Sequence, residues 1–191
     1  MIHVLLASKS AFRKQMLERE HIPFHIFVSD ADETPNPSKS FEGQLKEISM
    51  RKAQIVFKKT IDLGERVIVA ADQNIVFENV MYGKPKTLEE ARDLIVRMQG
   101  HNDIYAYVGN SLIYANGAHI LKTINNCDIA KMRMDHFSKE ELEEYLSTKK
   151  PLTKCGGIHI SDTPSLSLEE GKMSTAYGMT IEYLKDLLSS L

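Results

Sequence analysis

Residues 67–77 read VIVAADQNIVF, an apolar run interrupted at its centre by Asp72, Gln73 and Asn74. Val, Ile and Ala precede the interruption and Ile75-Val76-Phe77 follow it, so the stretch around 66–78 is predicted as a long, largely buried strand. Burying a carboxylate without compensation is costly, so Asp72 requires a cation, a metal or a proton supplied from elsewhere in the chain.

Outward from this strand, strands and helices alternate. A strand near 2–6 is followed by a helix from Ser10 to Glu20, a short strand near 25–28 and a helix over 40–59. Beyond 66–78 the pattern predicts a helix near 87–99, strands over 104–115 and 119–134, and helices near 138–147 and 178–190. The two long strands meet at Ala115-Asn116-Gly117 and read as an antiparallel hairpin, which makes this an α/β chain with a mixed central sheet and flanking helices. Asp30 to Ser40, DADETPNPSKS, is the clearest loop, and KPLTKCGGIHISDTPS (150–165) is a second, glycine-containing one. With 191 residues, and neither a repeat nor a long linker, one domain over 1–191 is expected.

Composition narrows the function. A formal net charge of -2 provides no global field for a nucleic-acid polymer. No run approaches the ~20 apolar residues of a membrane span, and MIHVLLASKS reads as a first strand rather than a leader. Cys127 and Cys155 form no C-x-x-C pair, which fits a reducing cytoplasm. The seven histidines show no metal-binding spacing, and there is neither a G-x-S-x-G elbow nor a Cys-His signature.

Cations are what Asp72 needs, and several stand at informative places. Ser8 and Ser10 precede a helix start with Arg13 one turn on, an arrangement that suits a phosphate but equally an ordinary capped helix. It is not a P-loop or a Rossmann fingerprint, because the glycines are missing. On the helix over 40–59, Phe41, Leu45, Ile48, Lys52 and Ile55 share one face, so a lysine lies on the apolar stripe. Its ammonium either snorkels to water or points into a cleft, held by a carboxylate such as Glu33 or by a phosphate. Lys84 sits on the rigid Tyr82-Gly83-Lys84-Pro85 connection and Lys154 in the second loop.

Taken in order, LASKSAFRKQML, DADET, RKAQIV, AADQNIVF, YGKP, FSKEELEEYL and KPLTKCGG resemble the Maf family of nucleoside triphosphate pyrophosphatases over nearly the whole chain. The resemblance implies a Maf/ITPase-like fold with two lobes around a cleft, commonly a homodimer, which hydrolyses a nucleoside triphosphate to the monophosphate and pyrophosphate with a divalent metal, Mg²⁺ or Mn²⁺. It puts Asp72 at the position of the catalytic acid/base. Ser8, Arg13, Lys52 and Lys84 match phosphate-contacting positions, Lys154 matches a lysine of the late P-L-x-K-x-G motif, and Glu33 matches the acidic residue of the D-E motif. Asp72 and Glu33 are the implied metal ligands.

Ser10-Ala11-Phe12-Arg13-Lys14 is similar to the S-P-W-R-R form of the branch acting on 7-methyl-GTP, which also carries Gln after its catalytic Asp and a late Ser-Glu pair. Phe12, Gln73 and Asp162 are the corresponding expected specificity residues, since an aromatic face and an acid suit a cationic ring. The chain departs from the family at Ala11 in place of Pro, at Thr153 in place of an acidic residue, and at Gly178-Met179-Thr180, where relatives usually have G-L-P. The expected substrate is 7-methyl-GTP. The alternatives are dTTP, UTP or other noncanonical nucleotides, or a noncatalytic nucleotide-binding regulator of cell division.

Overall fold

The computed structural model describes residues 2–163 and 165–191. Seven strands form one mixed sheet: β1 (His3–Leu6), β2 (Phe24–Ile26), β3 (Glu65–Phe77), β4 (Val80–Tyr82), β5 (Ile104–Asn116), β6 (His119–Met134) and β7 (Leu166–Glu170). Their order is β2-β1-β3-β5-β6-β7, with β4 also on β3. β1 pairs in parallel with β2 and β3, whereas β3–β4 and β6–β7 are antiparallel. The chain divides into two compact units, and β3, β5 and β6 contribute residues to both.

The first unit comprises the chain up to Asp72, Val108–Asp128 and Gly178–Leu191. It contains α1 (Ala11–Arg19), α2 (Phe41–Lys59) and the last helix, α6 (Glu182–Ser189). Ser40 caps α2 by accepting from the Gly43 N–H, satisfying one of the helix's orphan donors. The helix then buries Ala53 and Val56 against Leu5, Ile68, Ala70 and Ile113 of the sheet. Approach is closest at Gly109 on β5, where a Cβ would lie 2.2 Å from the Leu45 carbonyl oxygen. Only a residue without a side chain lets α2 sit that near the strand.

The second unit comprises Gln73–Tyr107 and Ile129–Tyr177. Its helices are α3 (Leu88–Met98), α4 (Lys139–Ser147) and the short α5 (Met173–Ala176), with 3₁₀ turns at Lys150–Thr153 and Cys155–Gly157. Ser138 and Glu141 form a capping box at the start of α4. Ile75, Phe77, Ile95, Met98, Ile104, Met132, Met134 and Leu146 are among its core residues.

Four elements, β4, β7, α5 and α6, differ from the sequence expectation. Glu78 and Asn79 both adopt positive φ, at 50° and 57°, the two-residue turn geometry that closes the β3–β4 hairpin. Neither residue is glycine, so this turn lacks the usual signal. β7 and α5 fall between 165 and 178, where the sequence expectation places no element, because segments of four or five residues are too short for periodicity to register. The last helix starts at Glu182 rather than 178, since Gly178 has φ +101° and cannot belong to a helix. Among the described residues, no helix is long and apolar enough to cross a membrane.

Candidate active site

Helical spacing puts Lys52 on the same face of α2 as Leu45 and Ile48, and that face is buried. Lys52 is only 6% exposed, so snorkelling does not describe it. Its Nζ lies 2.6 Å from Asp72 Oδ1 and 3.0 Å from Glu33 Oε1. The carboxylate that interrupts β3 therefore meets the lysine that interrupts α2. Glu33 reaches the same ammonium from the exposed DADE loop. That loop is tied to α2 one residue away: Arg51 donates to the Asp32 carbonyl, and the Asp32 side chain accepts from the Thr34 N–H at 2.9 Å.

Arg13 is also buried, and the Gly178 carbonyl and Ser8 are among the groups that orient its guanidinium. Nε donates to the Gly178 carbonyl at 2.9 Å and Nη1 donates to Ser8 Oγ at 3.1 Å. Ser8 Oγ in turn accepts from the Ser10 N–H at 3.1 Å, holding the turn between β1 and α1. Burial pushes the Asp72 carboxyl above the usual carboxylate range. Lys52 and, more weakly, Arg13 pull it back, while Glu33 adds to the rise. A carboxylate poised upward in this way makes a better proton acceptor near neutrality than an exposed aspartate.

Ser8, Arg13, Glu33, Lys52 and Asp72 are thus brought together in the first unit. Phe12 belongs to the same unit and is half-buried. Gln73, Lys84, Lys154 and Asp162 belong to the second. There the Gln73 side-chain amide donates to the Ala176 carbonyl at 3.2 Å, and the Gln73 backbone carbonyl accepts from Cys155 Sγ at 2.9 Å. Lys84 is exposed, and the segment carrying it is joined to the late loop by a 2.8 Å bond from the Gly156 N–H to the Gly83 carbonyl. Lys154 is buried and forms an ion pair with Asp162. The other Asp162 oxygen accepts from Ser161 Oγ at 3.1 Å, so both oxygens of this expected specificity residue are engaged within the loop.

A polar cluster around Thr180 is not singled out by the sequence. Asn110 and Asp128 face Thr180 and Tyr183, with Asp128 accepting from Thr180 Oγ1 at 2.9 Å and from the Tyr183 hydroxyl at 3.0 Å. The available signal was Asn110-Ser111 in the middle of an apolar strand and the lone acid Asp128 in the next.

As metal donors, Asp72 and Glu33 offer hard carboxylate oxygens directed at a single cation, Lys52. Mg²⁺ and Mn²⁺ accept such a donor set, since Mg²⁺ takes one or two carboxylates and completes its shell with water and phosphate. Among the described residues, no group of three or more His, Cys, Asp and Glu side chains forms a complete protein cage.

Comparison with known proteins bears on what such a site handles. Residues 3–191 match the sequence profile of the family described as Maf-like protein. A dTTP/UTP pyrophosphatase from Caldicellulosiruptor bescii is 31% identical over 196 residues, covering 100% of this chain and 96% of that protein. One from Desulfitobacterium hafniense is 30% identical over 191 residues, covering 97% and 84%. A third, from Bacillus cereus, is 27% identical over 186 residues, covering 96% and 93%.

Proposed function

The chain belongs to the Maf family, and from that membership and the names of its similar relatives we propose that it is a nucleoside triphosphate pyrophosphatase acting on dTTP and UTP. The observation that carries the reading is the buried Lys52 ammonium bridging Asp72 and Glu33, with Arg13 acting electrostatically on the same carboxylate. Buried cations that can exchange a carboxylate for a phosphate oxygen suit a triphosphate.

In this mechanism Asp72 accepts a proton from water as the water oxygen attacks the α-phosphorus. The bond from that phosphorus to the bridging oxygen breaks, and pyrophosphate leaves. Lys52 and Arg13 hold phosphate oxygens against the charge that develops on them, and Ser8 keeps the Arg13 fork oriented. Asp72 and Glu33 would hold Mg²⁺ or Mn²⁺. Such a cation, when bound, neutralises phosphate charge. Lys84 and Lys154 enter as further phosphate contacts on the family resemblance alone.

A second substrate reading, 7-methyl-GTP, is favoured by Gln73 directly after Asp72 and by the aromatic Phe12. Pyrophosphate release from a panel of dTTP, UTP, 7-methyl-GTP and the common triphosphates, with Mg²⁺ or Mn²⁺ and with chelator, separates these readings. Turnover of 7-methyl-GTP alone would transfer the assignment to that branch. Triphosphate binding without pyrophosphate release, unchanged in Asp72→Ala, would favour a noncatalytic regulator.

A homodimer belongs to the same proposal. Ile120 and Leu121, at the start of β6, are 48% and 55% exposed, and mass measurement in solution tests whether a second copy covers them.

A further inference from the structure

Two side chains that no part of the proposed chemistry uses are built around the turn that holds Arg13. Asn110 on β5 is 1% exposed, and its Oδ1 accepts from the Thr180 N–H at 2.9 Å. Its Nδ2 donates to Asp128 Oδ2 at 3.0 Å and to Thr180 Oγ1 at 3.2 Å. Asp128 on β6 closes the set by accepting from Thr180 Oγ1 at 2.9 Å through Oδ2 and from the Tyr183 hydroxyl at 3.0 Å through Oδ1.

Thr180 is therefore held through its backbone and its side chain by two strands of the first unit. Two residues earlier lies Gly178, whose left-handed φ of +101° turns the chain so that its carbonyl accepts from Arg13 Nε at 2.9 Å. A guanidinium is a rigid planar fork, so fixing Nε on that carbonyl and Nη1 on Ser8 sets the direction of its remaining N–H groups. Displacement of the Gly178 carbonyl would rotate the whole fork. We propose that Asp128 and Asn110 are positioning residues for Arg13, which clamp Thr180 so that the Gly178 carbonyl aims the guanidinium at a phosphate. This rests on the reading of Arg13 as a phosphate-binding group.

A double-mutant cycle read by calorimetric binding of inorganic tripolyphosphate tests the role independently of turnover. Asp128→Ala is expected to weaken tripolyphosphate binding about five- to tenfold when Arg13 is present, and less than about twofold in the Arg13→Ala background. Equal losses in both backgrounds would mean that Asp128 only supports the fold, and would overturn the proposal. Asp128→Asn should restore binding, because its amide oxygen can accept from Asn110 and Thr180 while its NH₂ donates to the Tyr183 oxygen. Failure of that rescue in a folded variant counts against the clamp. Should Asp128→Ala not fold, Thr180→Val, which keeps shape and removes one hydroxyl, runs the same cycle with the same two outcomes. Binding coupled in this way, in a chain that releases no pyrophosphate from any triphosphate, would leave the positioning role standing and sink the enzymatic reading. No tripolyphosphate binding by the unmodified chain would overturn the clamp together with the phosphate role of Arg13.

Discussion

Lys52 on α2 and Asp72 on β3 meet at 2.6 Å, each occupying a position where its own element would otherwise be apolar. Neither charge is tolerable there alone, since removing one partner of a buried pair leaves the other uncompensated. The pair is thus a structural solution and, on the proposed function, a reactive one.

Asp72→Asn should lower pyrophosphate release by about 10²- to 10⁴-fold, the usual worth of a positioned general base, while far-UV circular dichroism stays unchanged. Release at the normal rate by a folded Asn variant would remove Asp72 from the base role.

Lys52→Met should move the acid limb of the kcat/KM profile to higher pH. Lys52 opposes the effect of burial on Asp72, so its loss lets the carboxyl rise further and protonate earlier as pH falls. Stability should also fall, by about 3–5 kcal/mol, because Asp72 is left buried without its cation. Urea titration and a pH–rate series read the two effects separately, and a limb displaced to lower pH would contradict the assignment.

Gly109→Ala tests the close seating of α2. A Cβ at 2.2 Å from the Leu45 carbonyl oxygen cannot be accommodated without moving backbone. Destabilisation of about 1–3 kcal/mol or more is expected in denaturant titration, together with weaker triphosphate binding, because α2 carries Lys52.

Arg66 is fully buried and donates to Thr60 Oγ1 at 3.0 Å and to the carbonyls of Leu63, Gly64 and Gly117 at 2.9, 3.0 and 2.9 Å. It ties the end of α2 and the β5–β6 turn to the start of β3. Arg66→Met removes all four bonds and leaves the Gly64 and Gly117 carbonyls without this donor, and should cost at least ~3 kcal/mol, measured by thermal or urea unfolding.

His159 provides the pH prediction for the second unit. Burial, and secondarily Lys154, push its imidazole down to about 4. The unfolded chain takes up this proton near the ordinary value of about 6.5, so the folded form loses stability as pH falls from 6.5 towards 4. The loss is on the order of 3 kcal/mol. Melting temperatures across that range should drop less for His159→Gln, and parallel curves for the two proteins would refute the linkage.

Much of the candidate site was legible because burial patterns expose misplaced charge. Asp72 in an apolar strand and Lys52 on an apolar helix face are anomalies that sequence periodicity reveals. Glu33 was legible as a candidate carboxylate for Lys52 and through its match to the family's acidic position, although an acidic loop ordinarily stays in water. Asn110 and Asp128 left weaker traces, because single polar residues in long strands are common at exposed faces.

By itself, the sequence determined the mixed α/β order, the placement of Asp72 in an apolar strand and of Lys52 on an apolar helix face, and the family, since these follow from hydrophobic period and from motifs along one chain. Only the tertiary structure decided that Lys52 answers Asp72, that Glu33 folds onto the same ammonium and that Gly178 anchors Arg13 from 165 residues away. Each of these is a contact between distant segments, governed by how α2, the DADE loop and the final turn pack in the first unit. Local periodicity carries no record of such packing, because it encodes which face is buried and not which partner it meets.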